Sequence, residues 1–207
     1  MGFSMDTDMI ALASFVVVTS FTPGPNNISS ASMGILYGYK KTLGYLSGIV
    51  TGFFLVMLLC GWISKTLLYI FPSFESILRI IGALYILWLA WHTLMASYSF
   101  NEEDQNLLDF SNGFLLQLLN PKVIVYGLTL YSTFLGNMVT PPFFLFLSAM
   151  ALAGVGFAAI STWTFFGAAI RIYMNQPMVK QGLNIVLSLL LVYTAFELSG
   201  IFDILFQ

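Results

Sequence analysis

The sequence is poor in charged residues. Asp, Glu, Lys and Arg make up 8% of its 207 residues, against about a quarter in ordinary soluble domains, while 58% of the residues are hydrophobic. No formal charge occurs at residues 9–39 or 123–170, and both runs are longer than the about 20 residues that a helix needs to cross a bilayer. This scarcity excludes a soluble globular domain and predicts an integral membrane protein.

Cysteine and histidine are almost absent, with one residue of each, Cys60 and His92. A single cysteine cannot form a disulfide within the chain, so a membrane redox carrier that passes electrons through paired cysteines is a remote alternative. A membrane enzyme is also disfavoured, because the chain lacks a set of nucleophile, histidine and acid and lacks a metal-binding cluster. We expect no catalytic residue, no metal and no cofactor.

The apolar runs are continuous rather than alternating, which favours membrane-spanning helices over a β-barrel. Charges and turn residues divide the chain into six candidate spans, at residues 7–33, 42–69, 76–98, 107–136, 142–173 and 179–202. The N-terminal residues are acidic, whereas a signal peptide has a basic region there. We therefore expect the first span to stay in the mature protein.

The first predicted span is interrupted by two prolines. The sequence TPGPNN occupies residues 22–27, midway between the charges of Asp8 and Lys40. Pro23 and Pro25 have no N–H to donate, which frees the carbonyl groups of residues 19 and 21 and stops a regular helix. Free backbone groups survive at this depth only where they are buried in protein or line a watery cavity. The break therefore indicates a site.

The fourth predicted span has a similar break at Asn120, Pro121 and Lys122, where Pro121 frees the carbonyl of Gln117. The breaks take corresponding positions in two halves of three spans, residues 1–100 and 101–207. Because three is odd, the second half enters the membrane inverted. The sequence thus predicts an all-α membrane protein with six transmembrane helices in two inverted three-helix repeats, helices 1 and 4 being broken at mid-membrane. Matching interrupted helices point to a transporter binding site.

The second span of each half carries small residues at helical spacing. Gly44, Gly48 and Gly52 recur every four residues, and the fifth span has small residues between Ala149 and Ala158. Small residues let helix backbones approach closely in lipid. We expect these two helices to brace the broken ones.

The distribution of lysine and arginine predicts the orientation. With six spans, the first, third and fifth connections share one side and carry four basic residues, and the opposite side carries two. The four are Lys40, Lys41, Arg171 and Lys180, and the two are Lys65 and Arg79. The excess places both termini outside, in the periplasm if the source is a bacterium.

Two half-chains with PGPNN at 23–27 and NPK at 120–122 resemble the lysine exporter (LysE/RhtB-type) family of amino-acid translocators. Other segments are most similar to its exporters of cysteine and O-acetylserine: PGPNNI at 23–28, LVMLLC at 55–60, LWLAW at 87–91, YGLTLYSTF at 126–134 and LNIVLSLLLVY at 183–193. The resemblance implies export of a small neutral amino acid across the bacterial inner membrane by proton antiport. It also implies functional roles for residues 23–27 and for Asn120 with Pro121.

A zwitterionic substrate needs a partner for each of its charges. The half-helix that begins after each break offers free N–H groups and a positive dipole end to the carboxylate. Freed carbonyls and the side-chain oxygens of Asn26, Asn27 and Asn120 could accept from the ammonium. The alternative is that these residues only kink and pack helices. The predicted substrate site comprises Thr22, Pro23, Gly24, Pro25, Asn26, Asn27, Gln117, Asn120, Pro121 and Lys122.

Lys122 is costly at mid-bilayer, by about 2.5 to 3.5 kcal/mol. It could bind the substrate carboxylate or exchange a proton, or it could be a structural lysine bonded to the carbonyls of the broken helix. Two further titratable residues are assigned interfacial roles: His92, near the acidic residues 102–104, and Glu197, near the outer end of the sixth span. A proton site is the alternative for Glu197.

A passive amino-acid channel is the main alternative, since channels and carriers share broken helices. The expected partners are a small amino acid, protons and the lipid bilayer, with no nucleic acid. The identity of the amino acid and a homo-oligomeric state are left open by the sequence.

Overall fold

The computed structural model describes residues 5–71, 73–95, 108–135, 141–173 and 176–199, except the side chains of residues 5–8, 65, 67, 68, 75 and 76. Every regular element in these ranges is a helix. The α-helices are α1 (Met5–Phe21), α2 (Pro25–Ile70), α3 (Phe74–Leu94), α4 (Phe110–Leu118), α5 (Pro121–Thr129), α6 (Pro142–Ile170) and α7 (Pro177–Ser199). A π-helical segment, Leu130–Leu135, extends α5, and a 3-10 turn, Arg171–Tyr173, extends α6.

Within the described residues, four helices are long and apolar enough to cross a membrane, and the bent pair of α4 and α5 makes a fifth. The segment Met9–Phe21 is also apolar but shorter. Large side chains such as Trp62, 77% exposed, and Phe165, 54% exposed, cover the outer surface. A bilayer solvates such a surface, whereas in water it would cause association. The prediction of an all-helical, multi-pass membrane protein is confirmed, and the inverted arrangement of six spans stays a prediction.

Both predicted helix breaks are present. Helix α1 ends at Phe21 and α2 begins at Pro25, with residues 22–24 between them. Helix α4 ends at Leu118 and α5 begins at Pro121, and the two helix axes differ by 56°. In both cases a proline is the first residue of the second helix, a position where its missing N–H costs no helical hydrogen bond.

Helix α2 folds back on itself at Gly38. This glycine has φ of 75°, a backbone conformation that favours glycine. The hydroxyl of Tyr45 donates to Ser29 Oγ at 2.8 Å, although a straight helix would separate these residues by about 24 Å. The turn falls within the connection that the sequence predicts between residues 33 and 42, and Lys40 and Lys41 lie in the helix that follows it.

Glycines bring the two arms of α2 into backbone contact with α6 and α4. A Cβ on Gly34 would lie 2.2 Å from the Thr164 carbonyl oxygen of α6, and a Cβ on Gly48 would lie 2.0 Å from that of Phe110 in α4. The predicted bracing role is confirmed for Gly48, whereas Gly44 has no atom within 4 Å of its Cβ position. The arm at residues 25–37 is thus fixed on α6, and the arm at residues 39–70 is fixed on α4.

Candidate functional site

The two helix breaks meet through their amide side chains. Asn120 Nδ2 donates to Asn26 Oδ1 at 2.9 Å, and Asn26 Nδ2 donates to Gln117 Oε1. All three residues are at least 92% buried. This chain of contacts joins the start of α2 to the junction of α4 and α5, and it leaves Gln117 Nε2 without a partner among the described residues.

The carbonyls of the first break are occupied by side chains. Asn27 Nδ2 donates to the carbonyls of Ser20 and Thr22, both at 2.9 Å. The Phe21 carbonyl accepts from Trp163 Nε1 at 3.2 Å, so it is not the open acceptor that the sequence predicts. The Pro23 carbonyl accepts from Thr194 Oγ1 at 2.5 Å.

The second break is capped by its own residues. Asn120 is the N-cap of α5, and its Oδ1 accepts from the Lys122 N–H at 3.1 Å. The Asn120 N–H donates to the Gln117 carbonyl at 3.2 Å. The prediction of a free Gln117 carbonyl is therefore wrong, and it is the side chain of Gln117 that takes part in the contact between the breaks.

Lys122 crosses from the second break to the first. Its Nζ donates to the carbonyls of Thr22 and Pro23, both at 3.2 Å. These carbonyls follow the C-terminal end of α1, where the helix dipole favours a cation. A Cβ on Gly24 would lie 3.0 Å from Lys122 Cδ, so a glycine leaves room for the side chain to pass. These contacts fit the alternative in which Lys122 is a structural lysine bonded to the carbonyls of the broken helix.

The N-terminus of α2 retains free donors. The first helical residue is Pro25, and Ile28 N–H donates to the Gly24 carbonyl at 2.9 Å. The backbone N–H groups of Asn26 and Asn27 have no acceptor in the part of the chain that the structure describes. Both residues line a cavity. Free N–H groups at a helix N-terminus are suited to an anion such as a carboxylate.

The cavity lies between the two breaks, α2 and α6. It has about 540 Å³ of empty space, including the part that is open to the surroundings. Seven predicted site residues line it: Thr22, Gly24, Pro25, Asn26, Asn27, Asn120 and Lys122. Pro23, Gln117 and Pro121 do not line it, and Pro121 lies beside Gly82 of α3, whose Cβ position is 2.8 Å from Pro121 Cβ.

Sequence reasoning missed other residues that line the cavity. They include Ser20, Phe53, Tyr126, Ala153 and Gly156. The small residues of the fifth span predict close helix contacts, and their spacing does not distinguish a position that faces a cavity from one that faces a helix. The aromatic residues Phe53 and Tyr126 lie within long apolar runs that give no sign of a polar neighbour.

The two residues to which the sequence gives interfacial roles are exposed. The ring of His92 packs on Trp88 with 4.3 Å between ring centroids, and neither His92 nor Glu197 lines the cavity. The acidic residues 102–104, the predicted neighbours of His92, lie outside the described residues. No group of three or more His, Cys, Asp or Glu residues that could hold a metal ion occurs among the described residues.

Comparisons with known proteins agree with the sequence resemblance. The model of the family described as LysE type translocator matches residues 17–199. The chain is similar to the cysteine/O-acetylserine efflux protein of Salmonella typhimurium, with 35% identity over 89% of this chain and 94% of that protein. It is similar to the protein of the same name from Escherichia coli strain K12, with 34% identity over 91% and 96%. No solved structure matches the chain.

Proposed function

The chain belongs to the LysE type translocator family, and we propose that it exports small neutral amino acids such as cysteine or O-acetylserine by proton antiport. The names of its relatives describe efflux proteins, which supports export. The observation that carries the proposal is the direct contact of the two helix breaks beside a cavity that Asn26, Asn120 and Lys122 line.

The cavity offers separate partners to the two charges of an amino acid. We place the carboxylate at the free N–H groups of Asn26 and Asn27, with the ammonium of Lys122 close by. The substrate ammonium then has the Thr19 carbonyl, which Pro23 deprives of its helical donor, and the Ser20 hydroxyl. Thr19 and Ser20 both line the cavity. Such a site holds a zwitterion without a buried acid.

Lys122 is the part that can link binding to movement. It belongs to the second half, residues 101–207, while the carbonyls that it binds belong to the first half, residues 1–100. In alternating access, the halves of a transporter move against each other around a central site. A substrate carboxylate would compete with these carbonyls for the Lys122 ammonium and so loosen the contact between the halves. Among the described lining residues, Lys122 is the only one with a charged side chain, which makes it our choice for proton exchange.

Reciprocal glycine contacts support the inverted repeat that we propose. In the first half, Gly34 contacts Thr164, and Gly167 contacts Ala31 in return. In the second half, Gly113 contacts Tyr45, and Gly48 contacts Phe110 in return. In each case a broken helix of one half packs by glycine against the second helix of the other half.

We propose that the protein lies in the bacterial inner membrane with both termini in the periplasm.

Counterflow in proteoliposomes tests the transport site. Liposomes loaded with unlabelled cysteine should accumulate external labelled cysteine, and an imposed pH gradient should drive accumulation without preloading. We expect Asn26→Leu to abolish both activities, because it removes the hydrogen bonds that join the two helix breaks. Lys122→Met should reduce both by about tenfold or more, as expected for loss of a charged hydrogen-bonding group worth about 1.5 to 3 kcal/mol.

Lys41→Met is the matched control, since Lys41 is exposed and does not line the cavity. Wild-type rates in both site variants, with monodisperse protein, would reject the site. A passive channel would instead equilibrate the label without counterflow and without a response to the pH gradient.

A further inference from the structure

Tyr126 carries a buried hydroxyl group that lacks a well-formed hydrogen bond among the described residues. The residue is 5% exposed, and its OH has no hydrogen-bond partner among the described residues. The Ser20 side chain lies close enough to interact with this hydroxyl, but the geometry of their contact is not that of a hydrogen bond. Leaving a polar group buried and unpaired costs about 1 to 3 kcal/mol, so such a group calls for an explanation.

Tyr126 lines the cavity, and this position can explain why its hydroxyl is unpaired. The ring packs against that of Phe53 with centroids 6.1 Å apart, and Phe53 also lines the cavity. These two rings form the aromatic part of the lining, here called the aromatic end, and Asn26, Asn27 and Lys122 form its polar part. A polar atom of a bound molecule at the aromatic end could satisfy the Tyr126 hydroxyl.

Gly156 of α6 leaves space at the same end. The three atoms nearest to a Cβ built on Gly156 all belong to the Phe53 ring and lie at 3.8 Å, which is ordinary van der Waals contact. The glycine is therefore not required for helix packing, unlike Gly34 or Gly48. Its effect is to enlarge the cavity next to Phe53 by the volume of a side chain.

We infer that Tyr126, Phe53 and Gly156 form the subsite for the substrate side chain, which selects a short side chain ending in a hydrogen-bonding atom. This inference rests on the proposed function and assigns the specificity of the same cavity. The Tyr126 hydroxyl binds the terminal thiol, hydroxyl or ester group of the substrate. The Phe53 ring contacts its methylene, and the space at Gly156 sets the greatest length.

Pairs of amino acids of matched shape test this subsite. Serine with alanine, and cysteine with 2-aminobutyrate, differ in the terminal polar atom. Binding is measured as thermal stabilisation of the purified protein by each amino acid, and transport as competition against labelled cysteine in counterflow. Tyr126→Phe should reduce the preference for the polar member of each pair by about 2- to 12-fold, with little change for alanine.

Gly156→Ala tests the length limit and does not depend on Tyr126→Phe being folded. It should weaken O-acetylserine about tenfold relative to serine, as expected for about one methylene of lost space. Gly154→Ala is its matched control on the same helix, because the Cβ position of Gly154 has no atom within 4 Å and Gly154 does not line the cavity. That variant should keep the wild-type order of substrates.

An unchanged preference for serine over alanine in Tyr126→Phe, or an unchanged rank of O-acetylserine in Gly156→Ala, would overturn the subsite while export stands. If both variants lose these preferences in the binding assay while the wild type shows no counterflow, the subsite would be supported and export would be overturned. Absence of stabilisation of the wild type by any of these amino acids would overturn both.

Discussion

The two helix breaks differ in what holds their backbone groups. At the first break, each carbonyl of residues 20–23 accepts from a side chain, and the donors belong to four different helices: Asn27 of α2, Lys122 of α5, Trp163 of α6 and Thr194 of α7. At the second break, the chain uses its own residues, with Asn120 capping α5 and closing on Gln117.

This difference indicates which break responds to movement. A locally capped break keeps its hydrogen bonds when neighbouring helices shift, because both partners move together. A break held from α5, α6 and α7 loses contacts when any of these helices moves. We therefore expect the second break to act as a rigid part and the first break to change between states of the transporter.

Replacing Lys122 is the strongest way to test this comparison. Lys122→Met removes the donor to Thr22 and Pro23 while leaving its backbone N–H for the Asn120 cap. Loss of a charge-assisted hydrogen bond of about 1.5 kcal/mol would speed local opening by about tenfold. Hydrogen–deuterium exchange should therefore rise in peptides covering residues 18–28 and stay unchanged in residues 110–120.

Lys41→Met, at an exposed position, should change neither region. Equal acceleration at both breaks would show that they open as one unit, and the proposed division into a rigid and a responsive break would be wrong.

The sequence predicts the existence of both breaks because proline has a fixed local effect. Pro23, Pro25 and Pro121 each remove a helical donor, and no tertiary contact can restore it. The glycine spacing likewise predicts a close helix contact at Gly48, because the absence of a side chain acts locally. Features of this kind can be read from a few consecutive residues.

The partners of the freed groups could not be predicted in the same way. Trp163 and Thr194 are separated from the first break by more than a hundred residues and lie in runs that look like ordinary lipid-facing helix. Tyr126 and Gly156 face the cavity only because of how α5 and α6 rotate about their axes. A single sequence contains no measure of that rotation, so the aromatic end of the site emerged only from the structure.

Asn120 allows the local cap to be separated from the contact between the breaks. Asn120→Ser keeps a capping oxygen but is too short to reach Asn26, whereas Asn120→Ala removes both interactions. Loss of an N-cap costs about 1 kcal/mol. Asn120→Ala should therefore unfold at a lower temperature than Asn120→Ser, by the shift that corresponds to about 1 kcal/mol in the free energy of unfolding. Thermal unfolding in detergent measures the difference.

Asp109→Ala provides a reference for the cap alone, since Asp109 is exposed and forms the capping box of α4. If Asn120→Ser and Asn120→Ala are equally destabilised, the contact with Asn26 would be the feature that fixes the second break, and the cap would contribute nothing measurable.

Thr194 should give the smallest effect, because it is one of several donors to the first break. Thr194→Val removes the hydrogen bond to the Pro23 carbonyl, worth about 1 kcal/mol, and should lower the unfolding temperature by about 2 to 4 °C. Lys122 still binds the same carbonyl in this variant, so transport should persist.

Thr162→Val is the control. The hydroxyl that it removes is exposed and bonds only to Ala158 of its own helix among the described residues, so stability should stay within about 0.5 kcal/mol of the wild type. A larger loss of stability for Thr194→Val than for Lys122→Met would contradict this ranking, and α7 rather than α5 would then be the helix that holds the first break in place.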